Sequence, residues 1–159
     1  MDPLLELLIQ DAKLTNAELG EQLGLEEGEV CARIAGWEKD GTILGYQAVV
    51  DPEKAGNHGV TSVIDVKITP ERDGGFDRLA ERIAKFDQVS SCFLMSGGYD
   101  LAVIVEGVDL RDVARFVAEK LATLEGVIST TTHFQLKVYK LNGFLARGGD
   151  QAERLPVTP

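Results

Sequence analysis

The sequence predicts an α+β protein in which an N-terminal winged helix-turn-helix head precedes a ferredoxin-like domain of order βαββαβ. Two patterns predict this fold class. Apolar residues recur at helical spacing through the first 50 residues, and the period then changes between strand and helix along the rest of the chain. The composition, 44% hydrophobic and 26% charged over 159 residues, is typical of a globular protein with one ordinary domain or two small ones.

The predicted head, residues 1–50, begins with two short helices. Asp2 can cap the first helix, and Pro3 can occupy its first position, where the missing N–H costs nothing. Thr15 and Glu18 have the spacing of a capping box at the start of the second helix, and a glycine ends it. Both helix starts are therefore encoded by local side chains.

The third helix of the head carries Val30, Ile34 and Trp37 on one apolar face and ends at Gly41. A glycine-containing turn joins it to the second helix, which is the layout of a helix-turn-helix. Residues 42–50 then look extended and are expected to form the wing. The last helix of such a motif usually contacts a polyanion.

A linker over residues 51–58 leads to the ferredoxin-like domain, predicted over 59–142. Alternating apolar residues predict its first strand over 60–68, and the run 101–105, apolar on both faces, suits the middle of a sheet. Residues 143–159 are expected to be a loose tail. The other predicted elements are a helix over 75–87, a strand over 89–95, a long helix capped by Asp109, and a final strand over 127–139 whose Ile128, Phe134, Leu136 and Val138 are expected to face inward.

The charge distribution provides no overall field that would draw the chain toward nucleic acid. The formal net charge is −10 and the isoelectric point is about 4.6. The head alone holds ten acidic and three basic residues, a net of −7.

Several classes of site are not predicted. Cys31 and Cys92 lack metal-ligand or redox spacing and are expected to be half-buried thiols in a reducing cytosol. His58 and His133 have no acidic or cysteine partner at ligand or triad spacing. We therefore expect no catalytic residue, no metal site and no cofactor. Without a signal peptide or an apolar run of membrane length, a cytoplasmic protein with no membrane partner is expected.

The order and spacing of several short motifs resemble the Lrp/AsnC family of regulators, over nearly the whole chain to about Lys140. The resemblance implies a transcription regulator that binds double-stranded DNA, forms a homodimer and often a larger ring, and senses amino acids or related small metabolites through its ferredoxin-like (RAM) domain. The motifs that carry it are Leu23-Gly24-Leu25, Arg33-Ile34, Ile43-Leu44-Gly45-Tyr46, Asp51-Pro52-Glu53-Lys54, Gly97-Gly98-Tyr99-Asp100, and Gly126-Val127 with Thr130 and Thr132.

The expected DNA contacts on the third helix are Gly28, Glu29, Arg33 and Lys39. The sequence departs from the family here, because the helix opens with three glutamates and carries Ala and Gly at positions 35 and 36, where further basic residues are usual. Carboxylates at a helix N-terminus favour the helix but occupy the end that attracts phosphate. One glutamate could still read a cytosine amino group, many weak heads could gain avidity, or the head has lost DNA binding.

The expected effector site combines the loop Gly97, Gly98, Tyr99 and Asp100 with hydroxyls on the last strand. Glycines let a ligand carboxylate approach backbone N–H groups. Asp100 could then meet an ammonium group, and the Tyr99 ring could cover an apolar side chain. The alternative is a tight hairpin that needs Gly-Gly for its backbone twist. The resemblance places the site between subunits, with Thr130 and Thr132 as the matching hydroxyls.

Three functions are compatible with these residues. The first is an effector-responsive DNA-binding regulator, and the second is an oligomeric small-molecule sensor whose acidic head no longer binds DNA. The third is an enzyme, since siroheme decarboxylases share the two-domain layout. That group prefers arginines directly after the isoleucine of the wing, where this chain has Leu44 and Gly45. We therefore expect a regulator and not an enzyme.

Overall fold

Residues 1–56, 58–70 and 75–146 are described by the computed structural model. The chain separates into two units, Met1–Ala48 and Val49–Pro159, and each is described by itself. The division falls after Ala48, and the predicted head ends at residue 50.

The head contains three helices, α1 (Pro3–Gln10), α2 (Asn16–Leu23) and α3 (Glu27–Asp40). The Asp2 carboxylate accepts a hydrogen bond from the Leu4 N–H at 2.9 Å and so caps α1 as predicted. The predicted capping box of α2 is also present, with both reciprocal bonds between Thr15 and Glu18 formed. Hydrogen bonds from Thr15 lower the pKa of the Glu18 carboxyl. The four buried core residues are Leu4, Leu8, Leu19 and Val30, with Ile34 and Trp37 packed against them.

The turn between α2 and α3 depends on two glycines. Gly24 adopts the left-handed conformation that ends α2, with φ 66°. The Leu25 N–H donates to the Gly20 carbonyl at 2.9 Å, which folds the chain back onto α2. A Cβ added at Gly20 would lie 2.6 Å from the Leu25 carbonyl oxygen. Gly20 therefore has to lack a side chain, a requirement that the sequence analysis missed.

Removing the capping box should weaken the head by a measurable amount. Thr15→Ala deletes the hydroxyl that accepts from the Glu18 N–H at 3.2 Å, and the loss of such caps costs about 1 kcal/mol. We expect that decrease in the free energy of unfolding of the head, measured by urea denaturation followed through Trp37, the one tryptophan of the chain. Thr42→Ala is the control, because the Thr42 hydroxyl bonds the exposed Asp40 side chain at the end of α3 and caps no helix N-terminus. Equal stability of Thr15→Ala and the natural protein would contradict the prediction.

The segment that follows α3 is unpaired in the described part of the chain. Residues 42–50 were expected to be extended, and no strand pairing is formed by them there. Two contacts hold the segment on the head instead. The Ile43 N–H donates to the Trp37 carbonyl at 3.0 Å, and the Tyr46 hydroxyl donates to Glu38 Oε1 at 3.0 Å.

The second unit has the predicted strand and helix order. Its four strands form one antiparallel sheet of order β2-β3-β1-β4, so β3 lies in the interior as its apolar run predicted. The elements are β1 (Val60–Ile68), α4 (Asp77–Ala84), β2 (Val89–Leu94), β3 (Leu101–Gly107), α5 (Leu110–Phe116), which continues into a π-helical turn (Val117–Leu121), and β4 (Val127–Phe134). Asp109 caps α5 by accepting from the Asp112 N–H, as predicted.

The core of this unit lies between the two helices and one face of the sheet. Alternate residues of β1, namely Ile64, Val66 and Ile68, are buried there. They pack with apolar residues of the other elements: Leu79, Ile83, Leu101, Val103, Val105, Val113, Phe116, Leu121 and Leu124. The opposite face of the sheet is not covered by any helix of this core.

The final strand was predicted incorrectly in two respects. It ends at Phe134 instead of residue 139. Ile128, Phe134 and Leu136 are also exposed in the single chain, at 61%, 37% and 94%, and only Val138 is partly buried. A register shift between Lys67 and Ile68 explains the exposure of Ile128, because it pairs Ile68 with Val127 and leaves Ile128 outside the ladder.

The first residues of the expected loose tail belong to a hairpin. Lys140–Leu141 (β5) pairs with Phe144–Leu145 (β6) across Asn142 and Gly143, whose φ angles are 46° and 90°. Positive φ at both central residues is the signature of a type I′ hairpin turn, and Asn-Gly is its preferred sequence. The Asn142-Gly143 pair that indicates this hairpin was thus present in the sequence. Residues 147–159 of the expected tail lie outside the described residues.

Candidate functional site

Helix α3 opens with an acidic, exposed end. Its N-cap residue Glu26 makes no side-chain capping bond, and Glu27 and Glu29 stand in the first turn. Carboxylates at this end complement the partial positive charge of the helix dipole. The local electrostatics therefore stabilise α3 and oppose the approach of a phosphate to its N-terminus.

Arg33 is the basic residue of the middle of α3, and it is ion-paired within the head. Its guanidinium contacts Glu29 Oε1 one helical turn earlier. It also lies 3.5 Å from Asp2 Oδ2 at the start of α1. All three side chains are exposed to solvent, at 41% for Arg33, 46% for Glu29 and 36% for Asp2. The sequence predicted only a capping role for Asp2. Its pairing with Arg33 was missed because the two residues belong to different helices.

The four expected DNA contacts all lie exposed on α3, but they do not form one group. Gly28 has open space where a side chain would stand. Glu29 and Arg33 share one face of the helix. Lys39 is six residues beyond Arg33, which turns it away from Arg33 by about 120° at 100° per residue. The structure therefore brings Glu29 and Arg33 together and places Lys39 on another face.

The candidate effector loop lies between β2 and β3 and is held by Asp100. The Met95 N–H donates to the Asp100 carbonyl at 2.8 Å, and the Asp100 N–H donates to the Val66 carbonyl at 3.0 Å. The Asp100 carboxylate also accepts from the Ile68 N–H at 2.8 Å through Oδ2. These bonds fix the end of the loop onto β1. Sequence analysis had assigned the carboxylate to a ligand and had missed this contact.

The two glycines of the loop leave its tip open. A Cβ added at Gly97 or Gly98 would meet no heavy atom within 4 Å. Gly97 has φ 148°, a conformation that favours glycine. Tyr99 and Asp100 are partly buried at the base of the loop. The exposed backbone at the tip can accordingly be approached by a small molecule.

Thr130 and Thr132 lie on β4, on the other side of β1 from the loop. Thr130 pairs with Val66 and Thr132 with Ile64, so both threonines share the helix-covered face of the sheet with these core residues. Val66 accepts the Asp100 N–H, so β1 separates Asp100 from Thr130. Two strand spacings correspond to about 10 Å. Loop and hydroxyls thus adjoin the same part of β1 without direct contact.

Two other titratable residues, His133 and Cys31, differ from what the sequence predicted. His133 does have an acidic partner, since its Nε2 lies 2.9 Å from Asp65 Oδ2 on the neighbouring strand. Cys92 is partly buried, and burial raises the pKa of its thiol. Cys31 is exposed and not half-buried as expected. Among the described residues there is no group of three or more side chains suited to hold a metal ion.

Within residues 1–56, 58–70 and 75–146, each helix is too short or too polar to cross a membrane.

Two family models match the chain in the order of its two units. Residues 3–36 match the AsnC-type helix-turn-helix domain. Residues 61–144 match the Lrp/AsnC ligand binding domain. Each match lies within one of the two units, and the first match ends inside α3.

Similar proteins are also known over nearly the full length. The HTH-type transcriptional regulator YugG of Bacillus subtilis is 45% identical over 98% of this chain and 95% of its own. The proline dehydrogenase transcriptional activator of Rhizobium radiobacter is 26% identical over 88% and 89%. A solved structure of a transcriptional regulator from Neisseria meningitidis in complex with L-methionine has a TM-score of 0.67 and 29% identity over 87% and 88%. The named functions of these relatives are in transcription, not catalysis.

Proposed function

Because the chain belongs to the Lrp/AsnC family of HTH-type transcriptional regulators, we propose that it binds duplex DNA through α3 as an oligomer and that an amino acid controls this binding. The observation that carries the proposal is that the chain combines a helix-turn-helix closed by Gly20 and Gly24 with an open glycine loop on a four-stranded sheet. A regulator needs both parts, one for DNA and one for the signal.

The DNA-binding half of the proposal is supported by the geometry of the head. The bond from Leu25 to Gly20 holds α3 at the end of α2, as a helix-turn-helix requires. Arg33 stands exposed on α3 and can contact a phosphate or a base edge. The acidic helix start lowers the expected affinity, so binding depends on several heads acting together.

The effector half is supported by the loop chemistry. The open backbone at Gly97 and Gly98 suits the approach of a ligand carboxylate, and the second oxygen of Asp100 suits an ammonium group. These are the two charged groups of an amino acid. A relative supports this class of ligand, since the Neisseria meningitidis regulator was solved in complex with L-methionine. Thr130 and Thr132 supply hydroxyls near the same strand.

Self-association is supported by the uncovered face of the sheet. Val63, Ile104 and Phe93 point to this face from three adjacent strands, and Phe93 is 53% exposed in the single chain. Apolar patches of this kind are typical of protein interfaces. A ligand that binds two arrangements of the assembly unequally shifts the population between them and changes the spacing of the heads.

The proposal is tested by a salt-titrated DNA-binding assay. A labelled duplex from the region upstream of the protein's own gene is titrated with the protein in fluorescence anisotropy, with and without a panel of L-amino acids. We expect binding that weakens steeply with salt and changes with at least one amino acid. Arg33→Ala should weaken binding by about three- to tenfold and flatten the salt slope by no more than about 0.9. Arg111→Ala, an equal charge change on exposed α5, is the control.

A second candidate function is favoured by the charge of the head. With ten acids, three bases and its central arginine already paired, the head suits a sensor that no longer binds DNA. In that case the natural protein gives no anisotropy change at low salt, whereas Glu27→Lys or Ala35→Arg creates binding. Binding by the natural protein rejects this candidate.

A further inference from the structure

We propose that Glu29 and Asp2 are internal counterions of Arg33, which a DNA phosphate has to displace before the head can bind. The inference rests on the proposed DNA-binding function and concerns the regulation of that same surface. It predicts that Glu29 and Asp2 lower the affinity of the head for DNA, in addition to the effect of having few basic residues.

The geometry holds both carboxylates at the guanidinium. Glu29 lies one turn before Arg33 on α3 and contacts its Nη2 group. Asp2 approaches the Nη1 group at 3.5 Å through Oδ2. Its other oxygen accepts the Leu4 N–H at 2.9 Å, so the α1 cap fixes the position of this carboxylate. Arg33 thus has one counterion on its own helix and another on a different helix.

The pairs are exposed enough to be exchanged. Ion pairs between solvent-exposed side chains are individually weak because water and salt screen them. A phosphate can therefore take the place of either carboxylate, and each exchange reduces the affinity by only a few-fold. Displacement leaves two negative charges close to the bound phosphate, which opposes binding further.

The neighbouring glutamate provides a matched control. Glu27 stands in the same first turn of α3 and is exposed, and it forms no ion pair in the part of the chain that the structure describes. Glu27→Gln and Glu29→Gln change the net charge equally. A difference between the two variants therefore reports the contact with Arg33 and not the overall field.

The experiment measures DNA affinity and its salt dependence for these variants in the full chain, using the labelled upstream duplex. We expect Glu29→Gln to bind about three- to fivefold more tightly than Glu27→Gln, with a steeper salt slope because no freed Glu29 carboxylate then takes up a cation when Arg33 binds the phosphate. Asp2→Asn, which keeps a good capping side chain, should act in the same direction. In an Arg33→Ala background the difference between Glu29→Gln and Glu27→Gln should disappear.

The outcomes separate this inference from the function on which it rests. Equal affinities of Glu29→Gln and Glu27→Gln, in a protein whose DNA binding Arg33→Ala weakens, overturn the counterion role and leave the DNA-binding function standing. Absence of DNA binding by the natural protein and every variant overturns both. A purely structural role of the pair predicts lower stability of Glu29→Gln without a change in salt slope, so thermal unfolding followed through Trp37 is measured alongside.

Discussion

Replacing Gly20 by valine is expected to unfold the head at concentrations of urea that leave the natural head intact. The added Cβ would stand 2.6 Å from the Leu25 carbonyl oxygen, well inside contact distance, and backbone cannot move aside as a flexible side chain can. Relief of the clash would break the bond from the Leu25 N–H to the Gly20 carbonyl, which closes the turn. Overpacking of this kind costs about 1–3 kcal/mol, and we expect the upper end of that range.

The measurement is equilibrium urea denaturation of the full chain, followed by the fluorescence of Trp37, which packs on the head core and is the one tryptophan of the sequence. Gly36→Ala is the matched control. Gly36 is also helical, yet a Cβ there meets nothing within 4 Å, so alanine should stabilise α3 by about 1 kcal/mol. If Gly20→Val unfolded at the same urea concentration as the natural protein, the close approach in the turn would not be a requirement of the fold.

Local chemistry explains why most of the fold could be predicted. The caps at Asp2, Thr15 and Asp109 depend on residues within three positions along the chain, and each was found where the sequence placed it. The alternation of β1 and the doubly apolar run of β3 likewise encode burial directly. In contrast, the exposure of Ile128 depends on a register shift between two strands, which no local pattern records.

The candidate sites were less predictable, because their contacts join distant parts of the chain. The resemblance to the family placed Arg33 among the expected DNA contacts of α3, but its pair with Asp2 spans two helices. The glycine loop was found from its sequence, whereas the bond from the Ile68 N–H to Asp100 joins residues 32 positions apart. The charged groups that can bind a ligand were predicted from the sequence. Their contacts within the fold were not, because the partners are far apart along the chain.

The Asp100 carboxylate accepts a hydrogen bond within the fold and is proposed to bind the ammonium group of a ligand, and two variants separate these roles. They are expected to have the largest effects on the stability and the ligand affinity of the second unit. Asp100→Ala leaves the Ile68 N–H, which is partly buried, without its acceptor at 2.8 Å. An unpaired buried donor costs about 1–3 kcal/mol, so the free energy of unfolding of the ferredoxin-like unit should fall by that amount. Trp37 packs in the head and does not report on this transition. The transition is therefore followed by far-UV circular dichroism.

Asp100→Asn keeps an oxygen acceptor for the Ile68 N–H but removes the negative charge that an ammonium group would meet. We therefore expect near-natural stability together with amino-acid binding weakened about 10- to 100-fold, the value of a charge-assisted hydrogen bond. Isothermal titration calorimetry with L-methionine and other L-amino acids measures this. Asp112→Ala is the control, since Asp112 also accepts a backbone N–H, from Val108 at 3.2 Å, but at the opposite end of β3. Unchanged ligand affinity in Asp100→Asn would mean that the fold alone uses this carboxylate, and the ammonium group would then have to be bound by other residues near the loop.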